Sequence, residues 1–284
     1  MLRKITFSLL VVLLVGIFTI NVFAAPEKST LQTVLARGYL IVGTGSANVP
    51  WHFKNEQGQL VGMDIDMARI LAKGLFDDPT KVEFVEESAD ARIANLVTGK
   101  VDIVLQFMTI SPARLQKVTF SAPYYVEGLG LLLPANGKYK NYEEMVAAIE
   151  NGKTVTIAIL QNIDAENNVQ AGLKGAVCAQ YESQGLMYAA IMSGRADAAC
   201  TGTGSIKWLS TRESEKYLDS GRAYNPQNYA AAMRLEDQLW INYVNGVFLE
   251  AMCGRRFQLY IDAYAKWFGE ELPVPKFGKP QMYR

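Results

Sequence analysis

The chain has 284 residues, 50% of them hydrophobic and 20% charged, with 28 basic residues against 28 acidic ones. That length suits one large or two medium domains with a sizeable core, and the even charge leaves neither a basic footprint for nucleic acid nor an acidic tail. One histidine, three cysteines and no Cys-x-x-Cys or His-x-x-x-His spacing give a metal no ligand set, so neither metal nor cofactor is expected.

Arg3 and Lys4 precede an apolar stretch over residues 5–20, and Val22-Phe23-Ala24 follows as a small-residue cleavage signal. Residues 1–24 are therefore expected to be a secretory signal peptide. The competing reading is an uncleaved membrane anchor, since the apolar run approaches the length of a span; the polar Asn21 and the Ala24-Ala25 pair favour cleavage. Cys178, Cys200 and Cys253 all come later. An odd count in an exported protein allows at most one internal disulfide, and the spacing does not choose the pair.

Residues 29–37 carry Leu31, Val34 and Leu35 at helical spacing with Gly38 as the stop, which predicts a short helix. Residues 39–43 read as a strand, and 44–50 as a loop of small and turn-forming residues that delivers Trp51 and Phe53 beyond the strand's end. Both aromatics suit a core; Trp51, beside Pro50, is the better candidate for a pocket wall. A turn at 55–58 leads to a helix over 62–72 with Met67, Ile70 and Leu71 on one face. There Asp64 and Asp66 fit the positive end of the helix dipole more simply than acid and base catalysis. A strand at 82–85 and a helix at 89–96 carrying Arg92 follow. The alternation predicts a parallel sheet with helices outside it and ligands beyond the carboxyl ends of its strands.

The stretch 101–125, VDIVLQFMTISPARLQKVTFSAPYY, organises the rest. Val101, Ile103, Val104 and Leu105 form an interior strand that stops at Gln106, and Ser111 then reads as an N-cap with Pro112 at the first helical position. A helix start at a strand's end presents free N–H groups to a small anion, Thr109 adds a hydroxyl, and Arg114 adds a fork of donors able to hold a carboxylate at two points. From these residues alone, a solvated Arg114 and a strand-ending Thr109 are the plainer alternative.

Residues 129–133 form an apolar run into a second lobe, and a helix at 141–149 and a strand at 155–160 lead to Gln161-Asn162-Ile163-Asp164. Short strands at 176–179 and 196–200 end in Thr201-Gly202-Thr203-Gly204, expected to be a flexible junction. Residues 225–233 bring the chain back, and helices over 236–268 finish the first lobe with Trp240, Val244, Val247, Phe248 and Met252 as a core-facing stripe.

A family resemblance joins these segments. Arg37-Gly38-Tyr39-Leu40-Ile41-Val42-Gly43, Pro50-Trp51-His52-Phe53, residues 60–68, Gly99-Lys100-Val101-Asp102, residues 109–114 and Phe120-Ser121-Ala122-Pro123-Tyr124-Tyr125, in that order, resemble the bacterial extracellular solute-binding proteins of the amino-acid type. Gly194-Arg195-Ala196-Asp197 and Lys266-Trp267-Phe268 extend the likeness over nearly the whole chain after residue 24. Ala91-Arg92-Ile93 and the tail at Pro273 are most similar to the binders of acidic amino acids.

The resemblance implies an α/β, two-lobed periplasmic-binding-protein fold of type II, each lobe a mostly parallel sheet flanked by helices, with two hinge crossings. Residues 25–133 and 227–284 would form lobe 1 and 134–226 lobe 2. It implies a periplasmic monomer that is not an enzyme, captures a small carboxylate-bearing solute, above all an amino acid, and delivers it to the membrane permease of an ABC transporter. Thr109 and Arg114 align with residues that hold the ligand's α-carboxylate, and the implied binding set is Arg114, Thr109, Phe107, Trp51, Asn48, Gln161, Asp164 and Gly202.

Three positions depart from the family pattern. Asn162-Ile163-Asp164 replaces a Gly-Thr-Thr-like turn, Gly202 stands where an Asp neutralises the ligand's ammonium, and Asn48 stands where an aromatic lid is usual. Asp164 is the substitute expected for that Asp. A carboxylate at 164 would repel an anionic ligand side chain by about 4 kcal/mol at about 4 Å, for an effective dielectric constant near 20. The expected ligand therefore has a neutral or cationic remainder. The departures also admit an accessory or sensor protein of the same fold. An enzyme like the cyclohexadienyl dehydratases would need an acid in the cleft; residues 198–208 supply none, and Asp164 has no evident basic partner in the sequence.

Overall fold

The structure, a computed structural model, describes residues 28–254 and 257–273; the expected signal peptide lies outside the described residues. Helix α1 (Thr30–Arg37) begins at Ser29, whose side chain accepts the Leu31 N–H, and ends at Gly38 with φ 85°, a left-handed stop. Strand β1 (Leu40–Thr44) follows, then a small flap of β2 (Ala47–Asn48), β3 (His52–Lys54) and β4 (Leu60–Val61). Next come α2 (Met63–Phe76), β5 (Val82–Glu86), α3 (Arg92–Val97), β6 (Ile103–Val104), α4 (Pro112–Leu115) and β7 (Thr119–Phe120). The long β8 (Tyr125–Pro134) leads to α5 (Tyr142–Glu150), β9 (Thr156–Leu160), α6 (Ala165–Gly172), β10 (Val177–Tyr181), α7 (Gln184–Met192), β11 (Ala198–Gly202), α8 (Thr203–Arg212) and β12 (Tyr217–Asp219). Strands β13 (Tyr224–Tyr229) and β14 (Ala232–Met233) return, and α9 (Gln238–Cys253) and α10 (Phe257–Phe268) close the described chain.

Two large sheets result. The first has the order β5-β1-β6-β14-β7 and the second β10-β9-β11-β8-β12, with β13 paired to β8. In each, a parallel trio, β5-β1-β6 or β10-β9-β11, is the part the sequence pattern predicts. Both sheets are nonetheless mixed, because β14 in one and β8 in the other run antiparallel to their trios, with β7 pairing on β14 and β12 and β13 on β8, again antiparallel. Those antiparallel strands belong to the segments that cross between the lobes and come back. The run 129–133, expected as a crossing, already pairs with β11 inside the second sheet; the passage between lobes is made just before it, where β8 and β13 pair from Tyr125↔Tyr229 to Leu129↔Tyr224.

Each lobe has its own cores. In the first, α2, α9 and α10 pack Met67, Leu71, Trp240, Val244 and Phe248 against Val42 and Ile103, with Val247 and Met252 partly buried at the margin, as the predicted stripe requires. Leu96, Val101, Val104 and Phe120 fill the sheet's other face. In the second lobe, Leu131, Met145, Ile157 and Val169 lie on one face of the sheet and Leu132, Ala158, Met187 and Ile191 on the other. Each large apolar side chain withdrawn from water in these cores contributes about 1.5–3 kcal/mol toward folding. Among the described residues no disulfide forms: Cys178 and Cys200 are unpaired, on β10 and β11, the two neighbours of β9. No described helix is long and apolar enough to cross a membrane.

Candidate functional site

The first lobe presents its strand ends to the second through a buried polar hub. Asp64, in the first turn of α2 and fully buried, accepts from the Tyr124 hydroxyl at 2.6 Å, the Phe107 N–H at 2.9 Å and His52 Nδ1 at 2.8 Å. The sequence reading of Asp64 as a simple dipole partner is corrected: its carboxylate ties together three segments remote in sequence. Burial pushes the His52 pKa down, and the hydrogen bond and charge of Asp64 oppose that shift. Phe107 has φ 37°, a costly conformation for an aromatic residue, and its ring stacks on His52 with centroids 4.8 Å apart. The hub thus fixes the turn that carries the chain from β6 toward Thr109 and Arg114.

Arg114 is 4% exposed and lies between the lobes. Its Nη1 donates to the Thr109 carbonyl at 2.8 Å, while Nη2 reaches across to Asn162 Oδ1 at 3.2 Å and Asp164 Oδ2 at 3.3 Å. Burial lowers the Arg114 pKa, and the Asp164 charge opposes that effect. Two expectations are corrected here. The helix after Ser111 is a single turn, and the Ser111 hydroxyl donates to Asp164 Oδ2 at 3.0 Å instead of capping that turn. Asp164, expected to lack a basic partner and to stand in for the Asp replaced by Gly202, pairs instead with Arg114.

Arg92, on α3, donates from Nε to the Ala89 carbonyl at 2.6 Å and from Nη1 to the Gln106 carbonyl at 3.1 Å. Burial, and then the charge of Arg114 nearby, push its pKa down to about 9. The two arginines line a cavity of about 290 Å³ in the seam, with Met108 and Ile93 from the first lobe and Gln161, Asn162, Ile163 and Gln180 from the second. Beyond the guanidinium groups these walls are amides and apolar chains, and Asp90 stands among them.

The remaining predicted site residues divide. Thr109 Oγ1 donates to Gln227 Oε1 on the crossing strand β13 at 2.6 Å. Asn48 is buried, and its Oδ1 accepts from Ser205 at 3.2 Å and Tyr188 at 3.3 Å, so the position expected for an aromatic lid makes polar contacts across the seam. Trp51 is fully buried, ringed by Tyr125, Tyr229 and Phe268, and is not among the residues lining the cavity. The expected flexible junction at 201–204 is absent as such, because β11 runs straight into α8.

Gly202 brings a residue the sequence reading missed. A Cβ built there would lie 2.8 Å from Glu127 Oε2, so the Glu127 carboxylate fills the space of a side chain at 202. Glu127, on β8 and 1% exposed, accepts from the Thr203 hydroxyl and the Gly204 N–H at the start of α8, and from the N–H of Gly128, its neighbour on β8. Burial raises its pKa and these donors oppose the rise. The signal was the pair of glycines at 202 and 204, but nothing local says whose side chain fills the room they leave.

A family model for the bacterial extracellular solute-binding proteins, family 3, matches residues 40–270. The chain belongs to this family. It is 25% identical over 246 residues to the ABC transporter glutamine-binding protein GlnH of Bacillus subtilis (strain 168), covering 86% of each chain. To the histidine-binding periplasmic protein of Salmonella typhimurium (strain LT2) it is 31% identical over 199 residues, 69% of each. Among solved structures, the ancestral amino acid-binding protein AncCDT-1, a precursor of cyclohexadienyl dehydratase, superposes with TM-score 0.72 at 32% identity over 84% of this chain and 100% of that one. The fold is therefore that of a type II periplasmic binding protein, and the relatives are amino-acid-binding proteins of ABC transport systems.

Proposed function

We propose that this solute-binding protein acts in the periplasm, after removal of residues 1–24, and captures an amino acid between its lobes for delivery to the permease of an ABC transporter. Arg114 carries the reading: a buried guanidinium, anchored to its own lobe through Thr109, turns its outer nitrogen toward the opposite lobe. A bidentate arginine fork suits a carboxylate, and Glu127 beside Gly202 suits the ammonium. Two arginines against the single Asp90, among amide and apolar walls, favour a neutral, polar remainder over a cationic one. Glutamine and histidine, named for two relatives, are of this kind.

Titration calorimetry against a panel of neutral, basic and acidic amino acids tests the reading. Binding confined to carboxylate-bearing neutral members, and lost in Arg114→Ala, is the expected result. Tight glutamate or arginine binding with no neutral ligand would defeat the assignment of the remainder, and undiminished affinity in Arg114→Ala would take Arg114 out of the site.

One observation favours a catalytic alternative: Glu127 puts a buried carboxylate at the start of α8, where residues 198–208 have none of their own. Turnover of prephenate by the purified protein, abolished in Glu127→Gln, would establish it.

A further inference from the structure

Asp164 occupies the N-cap position of α6, yet its side chain makes no capping hydrogen bond. An aspartate there ordinarily accepts an N–H of the first turn. This one points across the seam instead, taking the Arg114 Nη2 at 3.3 Å and the Ser111 hydroxyl at 3.0 Å, both from the first lobe. Asn162, two residues earlier, adds a neutral acceptor to the same Arg114 nitrogen at 3.2 Å and also takes the Asp164 N–H at 3.0 Å, which holds the turn in place. The pair is well shielded, with side-chain exposures of 5% for Arg114 and 22% for Asp164. One lobe therefore supplies a carboxylate to the anion-holding group of the other.

We propose that Asp164 is an internal competitor for Arg114, a tethered carboxylate that latches the lobes together and that a solute's carboxylate must displace. The inference rests on the reading of Arg114 as the carboxylate grip. A group tethered by a short segment acts at an effective concentration on the order of millimolar, so a bare carboxylate such as acetate is outcompeted. An amino acid with further contacts to the cleft displaces it. Asp164 thereby sets a threshold of recognition: the carboxylate is necessary and not sufficient. It also lowers apparent affinity by the fraction of time the latch is made, about tenfold if the latch is closed nine times in ten.

The test uses the mature chain as wild type, Asp164→Asn, which removes the charge, and Asp164→Ala, which removes the acceptor as well. Small-angle scattering without solute should show a larger radius of gyration in Asp164→Ala than in wild type, with Asp164→Asn between them. Calorimetry with L-glutamine and L-histidine should show binding about tenfold tighter in Asp164→Ala, and acetate binding measurable only in the variants. Unchanged scattering profiles would overturn the latch. Weaker amino-acid binding in both variants would overturn the competition and make Asp164 a direct ligand contact. If no protein in the series binds any amino acid, the proposed function falls, while the scattering still decides whether the lobes are latched through this pair.

Discussion

The two walls of the cleft are built differently. On the first lobe, the buried Asp64, His52 and Tyr124 interlock with the half-buried Phe107 through hydrogen bonds and ring stacking made within that lobe. On the second, Asn162 and Asp164 stand on a turn beside an exposed Ile163, and their acceptors are directed mainly at the other lobe. The contrast teaches where the free energy of each wall is spent: the first is stabilised by folding, the second by closure. Substitutions in the first wall should lower stability whether or not a ligand is present, and substitutions in the second should change opening and affinity while leaving the folded state intact.

The largest expected effect is at the hub. Asp64→Ala strands the Tyr124 hydroxyl and the Phe107 N–H in the interior and should destabilise the protein by about 3–5 kcal/mol in denaturant unfolding. A loss below about 1 kcal/mol would erase the distinction between the walls. Arg114→Ala comes next, with an affinity loss of about 2–5 kcal/mol for any carboxylate ligand and a smaller change in stability, read by calorimetry and thermal unfolding on the same samples.

Glu87, at the end of β5, sharpens the comparison through pH. Burial pushes its pKa up to about 7, against the opposing hydrogen bond from Asn95 at 2.6 Å. The folded state therefore holds a proton more tightly than the unfolded chain. The stabilisation tied to that proton is complete below the ordinary glutamate range and lost as pH rises through about 7. Glu87→Gln should flatten the fall in stability between about pH 4.5 and pH 7 and raise stability at pH 8 by up to about 3 kcal/mol. An unchanged pH profile would place the titration elsewhere. The smallest effect is expected for Asn48→Ala, which loses two cross-seam hydrogen bonds near 3.2 Å and should weaken closure by about 1 kcal/mol, seen in ligand affinity and not in unfolding.

Much of this was legible in the chain. The strand at 103–104, the Pro112 start and Arg114 form a local signal, because the residues of the proposed grip lie within fourteen positions of one another. The parallel trios and the Trp240 to Phe248 stripe follow from periodicity alone. Direction was not legible. An aspartate at a helix start can serve that helix's own N–H groups or reach away from them, and both Asp64, in a first turn, and Asp164, at an N-cap, took the second course, drawn by partners as far as 60 and 53 residues distant. Glu127 was invisible because its place beside Gly202 is made by the pairing of β8 with β11, a contact that no local pattern encodes. Trp51, read as a pocket wall because it follows a strand's end beside Pro50, lies in the first lobe's core among rings that are remote in sequence.

The paired strands β8 and β13 have a mechanical consequence. Since Tyr125 to Leu129 is hydrogen-bonded to Tyr224 to Tyr229, the two connections form a single ribbon and cannot flex separately. Gln227 sits within that ribbon and accepts from the Thr109 hydroxyl, so the connection between the lobes is bonded directly to the residue whose carbonyl accepts from Arg114.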